Sequence, residues 1–170
     1  DKAAADVLKL GIDLHKSKYV VVCQFDGEAP KAPQSFSPEA FFAWVAKRVR
    51  QVGKAFSCYE AGCFGYVPHR RLEALGVANY VVRPRNWDEY GSKVKTDARD
   101  ARELRSCLDR YLAGNKRSLT PVRIPSEEEE RSRSLSRQRD TLAKEKTRIQ
   151  NIGTSCGRYY GYELPSNWWK

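Results

Sequence analysis

Five short runs rich in β-branched and aromatic residues punctuate the first part of the chain, and their order restricts the folds open to it. Only "LHKSK" separates the first two runs, which predicts an antiparallel hairpin. Helical patterns separate the later runs, and helical crossovers imply that those strands are parallel neighbours. The sequence therefore predicts an α/β fold with a mixed five-stranded sheet and flanking helices. The predicted strands are Val7–Asp13, Tyr19–Phe25, Gln34–Ser37, Lys54–Glu60 and Val77–Arg83.

Three helices are predicted among these strands. Ser37 caps the first, which begins at Pro38 and extends to about Arg50. The second, Val67–Leu75, is followed by Gly76, a residue suited to a left-handed helix end. The third begins within "KVKTDARDAREL", after an irregular basic and aromatic stretch.

The third helix has two carboxylates on the side that should face the sheet. At about 100° per residue, one stripe of the helix contains Asp97, Asp100, Leu104, Cys107, Leu108 and Tyr111. The rest of its circumference contains Arg99, Arg102, Arg105, Ser106, Asp109 and Arg110. Carboxylates that face inward cost free energy unless a cation or strong hydrogen-bond donors meet them.

Two further acids end predicted strands, Asp13 in "GID" and Glu60 in "YEAG". Ligands bind at strand ends in open α/β sheets, and the start of the third helix can reach the same edge. Four acids in one place would repel unless hard cations neutralise them, and oxygen ligands favour Mg²⁺ (or Mn²⁺). Other roles remain open for each acid. Asp13 could cap a turn, Glu60 could pair with Arg70 or Arg71, and Asp97 and Asp100 could complement a helix start.

The charge of the chain favours a polyanionic partner. Lys and Arg number 31 against 21 Asp and Glu, a formal net charge of +10. No apolar run approaches the roughly 20 residues of a membrane-spanning helix, and the start of the chain does not resemble a secretory signal. The 5 cysteines include no CxxC pair and fit a reducing compartment. We therefore expect a cytoplasmic protein without a membrane partner.

Four stretches, "GIDLHKSKYVVV", "YEAGCFGY", "VVRPRN" and "KTDARDARELR", resemble the DEDD transposases of insertion sequences, a family of bridge-RNA-guided DNA recombinases. The resemblance implies an RNase H-like (RuvC-like) fold in a prokaryotic, nucleoid-associated enzyme. It implies DNA and a structured guide RNA as partners, and Mg²⁺ (or Mn²⁺) as cofactor. The family's catalytic, metal-binding acids fall on Asp13, Glu60, Asp97 and Asp100.

The predicted domain organisation has four parts. A RuvC-like metal-dependent domain spans 1–114, a linker 115–125, a coiled-coil helix 126–152 and an aromatic tail 153–170. The spacing of Leu135, Leu142 and Ile149 by sevens predicts that the helix pairs with another helix, in this chain or a second one. A solvated charged helix is the alternative. The resemblance implies a homo-oligomer through this coiled coil. It also implies a further domain with a nucleophilic serine, without which we expect the chain not to carry out full recombination.

Charge and position also select residues for contact with nucleic acid, although an ordinary solvated surface or packing over the sheet edge would explain them too. Alternative functions are a RuvC-like nuclease domain, a non-catalytic nucleic-acid-binding scaffold and an actin-like or sugar-kinase ATPase. The ATPase is disfavoured because no glycine-rich phosphate loop follows Asp13. The predicted nucleic-acid-binding residues are His15, Lys16, Lys18, Arg83, Arg85, Trp87, Lys93 and Lys95.

Overall fold

A computed structural model of the chain describes residues 6–84 and 96–169. The strands are β1 (Val7–Leu14), β2 (Tyr19–Phe25), β3 (Gln34–Phe36), β4 (Lys54–Glu60) and β5 (Val77–Val82). The helices are α1 (Pro38–Val49), α2 (Val67–Ala74), α3 (Asp97–Leu112) and α4 (Glu127–Tyr159). The chain divides into two compact units, Asp1–Ile124 and Pro125–Lys170.

The sheet has the order β3-β2-β1-β4-β5. Strand β2 is antiparallel to β1 and β3, while β1, β4 and β5 are mutually parallel. The mixed five-stranded sheet with flanking helices is thereby confirmed, and its order places β1 and β4 side by side. That adjacency brings the carboxyl ends of these two strands to one edge of the sheet.

Alternate residues of β1 serve two different layers. Leu8, Leu10 and Ile12 are fully buried in a core with α1 residues such as Phe41 and α2 residue Leu72. Because side chains alternate along a strand, Lys9, Gly11 and Asp13 face the opposite layer. That layer is α3, whose Leu104, Cys107 and Leu108 pack with Cys58 of β4 and Val82 of β5.

Helix α3 approaches the sheet most closely at Gly11. A Cβ atom at this position would lie 2.3 Å from the Ala101 carbonyl oxygen and 2.3 Å from the Arg105 amide nitrogen. Arg105, which lies outside the predicted inward stripe of α3, also faces the sheet, because its amide nitrogen and Cβ atom lie beside Gly11. Its side chain is 13% exposed, and its guanidinium donates to the Gln24 side-chain oxygen at 2.7 Å.

The segment after α3 extends along β5. The Val122 amide donates to the Val81 carbonyl at 2.8 Å, and the Arg83 amide donates to the Thr120 carbonyl at 3.1 Å. Leu119 is 3% exposed within the α3-side core. The part of the predicted linker before Pro125 therefore packs as part of the first unit, because its apolar side chains complete that core.

Helix α4 begins with a capping box, in which Ser126 and Glu129 exchange hydrogen bonds. It ends at Tyr159 rather than near Ile152 as expected. Its glycines are covered by the residues that follow, because Trp168 lies against Gly153 and Leu164 against Gly157. The side chains of Leu135, Leu142 and Ile149 form a stripe that is 58–70% exposed.

None of the helices in the described residues combines the length and the apolar character of a membrane-spanning segment.

Candidate metal centre

Asp13 and Glu60 lie on the same face and at the same edge of the sheet. The parallel register pairs Gly11 with Cys58 and Ile12 with Tyr59, so the next residue on each strand is an acid. Cys58 packs against α3, and Glu60, two residues later, shares its face of the strand. The strand geometry therefore directs both carboxylates toward the α3 layer, as neighbours.

The first turn of α3 reaches this edge. Thr96 caps the helix, and its side-chain oxygen accepts a hydrogen bond from the Arg99 amide at 3.3 Å. Asp97 and Asp100 lie in that first turn and are partly buried. Since Ala101 lies over Gly11, the turn before it lies over the end of β1, where Asp13 is found.

His15 connects the end of β1 with α3. Its Nε2 atom is 3.0 Å from Asp13 Oδ2 and 3.3 Å from Asp97 Oδ1. The three side chains can each offer one ligand atom, and these atoms lie within 4.8 Å of one another. Glu60 and Asp100 are not members of this group of three. The structure thus brings two of the four predicted acids together around a histidine, with the other two on the adjoining strand and helix turn.

Lys18 supplies a cationic contact to Asp97. Its Nζ atom is 2.8 Å from Asp97 Oδ2, and the two side chains are 50% and 36% exposed. The turn between β1 and β2 places it there, because the His15 amide donates to the Lys18 carbonyl at 2.9 Å. Both His15 and Lys18 are therefore directed at Asp97 from one hairpin.

The two carboxylates respond in opposite ways to their surroundings. Burial raises the pKa of Asp13, and the negative charges of Asp100 and Asp97 add to that rise, while His15 opposes it. The hydrogen bond from Lys18 lowers the pKa of Asp97, with a smaller contribution from His15. Of these two acids, Asp13 is therefore the one whose negative charge is less compensated, and a further cation beside it would relieve that cost.

The donor set fits a hard divalent cation. Asp13 and Asp97 offer carboxylate oxygens, and His15 offers a ring nitrogen within the same radius. Carboxylate oxygens are ligands for divalent cations, and the unfavourable ionisation of Asp13 is the kind of electrostatic cost that such an ion removes.

The remaining predicted nucleic-acid-binding residues lie around this edge or beyond the described part of the chain. Lys16 is exposed at the tip of the β1–β2 hairpin. Arg83 is exposed just after β5. Residues Arg85, Trp87, Lys93 and Lys95 lie outside the described residues, so their role as contacts to nucleic acid stays a prediction.

Sequence reasoning assigned His15 and Lys18 to nucleic acid and did not connect them with the acids. A signal was present for His15, because residues 13 and 15 are two apart and side chains at that spacing lie on one side of a strand. No comparable signal marks Lys18, whose contact with Asp97 depends on how the hairpin turn and α3 meet in space.

Comparison with known proteins gives consistent matches. Residues 10–155 match a family described as transposase, the DEDD transposases of the IS110 type. A protein of Sinorhizobium fredii named "Putative transposase y4qE" is 31% identical over 170 residues, covering 94% of this chain and 42% of that protein. A second from the same organism, "Putative transposase y4rJ", is 30% identical over 155 residues, covering 84% and 39%. The chain spans about two fifths of the length of these relatives.

Proposed function

The chain belongs to the DEDD transposase family, and from this premise we propose that it is the metal-dependent, nucleic-acid-cleaving part of a DNA recombinase. The observation that supports this most strongly is the meeting of Asp13 and Asp97 around His15, with Glu60 on the adjoining strand. Acids from β1, β4 and α3 have few other reasons to converge at one sheet edge, since their mutual repulsion is unfavourable. The reaction proposed is DNA strand cleavage and exchange.

In this proposal Asp13, Glu60, Asp97 and Asp100 hold Mg²⁺ or Mn²⁺. Bound divalent ions would supply charge neutralisation at the reacting phosphodiester. The chain's own contribution is to hold the carboxylates in a partly buried place, where electrostatic interactions are stronger than in water. His15 keeps Asp13 and Asp97 oriented toward each other, because its ring nitrogen is within hydrogen-bond reach of both.

The proposed partners are DNA and a structured guide RNA. Lys16 and Arg83 are exposed near the acidic edge, where they can contact phosphates. The formal net charge of +10 gives the whole chain a favourable long-range attraction to a polyanion.

The guide RNA is proposed from the family alone, and sequencing RNA that copurifies with the chain tests it. One discrete structured RNA supports it, and a random mixture contradicts it.

Self-association through α4 is the third part of the proposal. Leu135, Leu142 and Ile149 form one exposed apolar stripe on α4, and a second copy of the helix would remove it from water. We also propose the sequence-based division: a RuvC-like domain in 1–114, a coiled-coil helix in 126–152, and a separate nucleophilic serine domain.

A binding experiment tests the proposed function. Fluorescence anisotropy with a labelled duplex DNA, over a range of salt concentrations, should give a steep negative log–log slope of about 0.9 per neutralised phosphate. Mn²⁺ should strengthen binding in the wild type and not in Asp97→Asn. DNA affinity that does not change with salt concentration would contradict DNA as the partner. An equal effect of Mn²⁺ on the wild type and on Asp97→Asn would contradict the proposed metal site.

One observation favours a second candidate, a non-catalytic nucleic-acid-binding scaffold. Lys18 already pairs with Asp97 at 2.8 Å, so the site could be stable without any metal. The scaffold would show the salt-dependent binding and no response to Mn²⁺. The same anisotropy experiment therefore separates the two functions.

A further inference from the structure

The β1–β2 hairpin places a permanent cation at one of the proposed metal ligands. Lys18 Nζ lies 2.8 Å from Asp97 Oδ2, the distance of a charge-assisted hydrogen bond. The other oxygen of the same carboxylate, Oδ1, is 3.3 Å from His15 Nε2. Both oxygens of Asp97 are thus in polar contact with side chains of one turn.

A divalent ion at this site would need a carboxylate oxygen of Asp97. The Lys18 ammonium and the ion would compete for it, because they carry charge of the same sign and would be close together. From this geometry we infer that Lys18 is a built-in competitor of the metal, which stabilises the site while it is metal-free and is displaced from Asp97 when the metal binds. The inference rests on the proposed metal-binding function.

The arrangement allows displacement at small cost. The Lys18 side chain is 50% exposed, so its ammonium can return to water when it leaves Asp97. Ion pairs with this exposure contribute little to stability, and breaking one does not require the hairpin to unfold. The hairpin turn itself is held by the backbone hydrogen bond from His15 to Lys18, which does not depend on the ammonium.

Competition predicts two effects of opposite sign for Lys18→Met, which keeps an unbranched side chain one atom shorter and removes its charge. Without metal, the variant should melt at a lower temperature than the wild type, because Asp97 loses its partner. The variant should bind Mn²⁺ about two- to fivefold more tightly than the wild type does, which is the range expected when an exposed ion pair no longer has to be broken. A purely structural lysine would lower the melting temperature and leave the Mn²⁺ affinity unchanged.

The matched control is Lys31→Met. Lys31 pairs with Glu28 at 2.9 Å, and the two side chains are 52% and 53% exposed, so the control removes the same charge from a similar ion pair. Its Mn²⁺ affinity should equal that of the wild type. This comparison separates the local effect at Asp97 from the general effect of lowering the net charge by one.

The experiment is isothermal titration of Mn²⁺ into wild type, Lys18→Met, Lys31→Met and Asp97→Asn at one pH, with melting curves in chelator. Tighter binding by Lys18→Met alone supports the inference. Suppose that the wild type binds Mn²⁺ and Asp97→Asn does not, but Lys18→Met binds Mn²⁺ no more tightly than Lys31→Met. The inference that Lys18 competes with the metal is then contradicted, while the proposed metal site is still supported. If the wild type does not bind Mn²⁺, the proposed function fails as well.

Discussion

Gly11 of β1 lies directly beneath Ala101 of α3. A Cβ atom at Gly11 would stand 2.3 Å from the Ala101 carbonyl oxygen, which is backbone and cannot rotate away. This contact limits how far α3 can stand from the sheet at Gly11, two residues before Asp13. The distance between the end of β1 and the first turn of α3 therefore depends on the absence of a side chain at one position.

Gly11→Ala should destabilise the chain by about 3 kcal/mol, because the added methyl group must push the helix backbone from the sheet. Urea denaturation measures the free energy of unfolding. Gly27→Ala is the control, since a Cβ atom there would meet nothing within 4 Å, and its effect should stay within about 0.5 kcal/mol. Equal stability of the two variants would show that α3 does not depend on Gly11 for its position.

Asp13→Asn should raise the stability of the metal-free protein near neutral pH. The folded-state pKa of Asp13 is raised above 3.8, so its ionisation costs stability as pH rises from the unfolded pKa through the folded one. Asparagine carries no charge and avoids that cost. Melting temperatures in chelator should differ near neutral pH and converge at pH values below 3.8, and a destabilised variant near neutral pH would contradict the assignment.

Asp97→Asn should lower the stability of the metal-free protein near neutral pH, which is the opposite of the effect expected for Asp13→Asn. The folded-state pKa of Asp97 is lowered from 3.8 by Lys18. Its contribution to stability is therefore present above the unfolded pKa and is lost as pH falls through the folded one. The variant should melt below the wild type near neutral pH in chelator, and the gap should close in acid. A gap that persisted at low pH would assign the loss to packing instead.

Leu142→Glu should dissociate the proposed homo-oligomer. Leu142 is 70% exposed in the single chain, at the middle of the apolar stripe of α4. In the proposed helix pair this position would be buried, and a charge there would be unfavourable. Sedimentation velocity gives the oligomeric state. Ser136→Glu, about 120° around the helix from Leu142, should leave it unchanged. A wild type that sediments as a monomer at all concentrations would contradict self-association through α4.

Local sequence signals predicted most of the fold. The hairpin of β1 and β2 and the capping of α1 by Ser37 depend on neighbouring residues, and the structure contains both. The end of α4 was missed because its glycines are tolerated through contacts with Trp168 and Leu164, which follow the helix. A contact of that kind leaves no local pattern.

The site shows the same division between local and spatial information. The sequence positions of Asp13, Glu60, Asp97 and Asp100, at the ends of predicted strands and at a helix start, predicted that these four acids lie in one region. The inward turn of Arg105 could not be predicted from a helical wheel, because it follows from the close approach of α3 at Gly11. The contact between Lys18 and Asp97 likewise joins residues far apart in sequence.

The most direct test of the account is Mn²⁺ binding, followed by electron paramagnetic resonance of the free ion, in the wild type and five single variants. Asp13→Asn, Glu60→Gln, Asp97→Asn and Asp100→Asn should each weaken binding by about tenfold or more. Glu39→Gln, an exposed acid in the first turn of α1, should bind like the wild type. If Glu60→Gln or Asp100→Asn bound Mn²⁺ as tightly as the wild type, the four carboxylates would not form one metal centre.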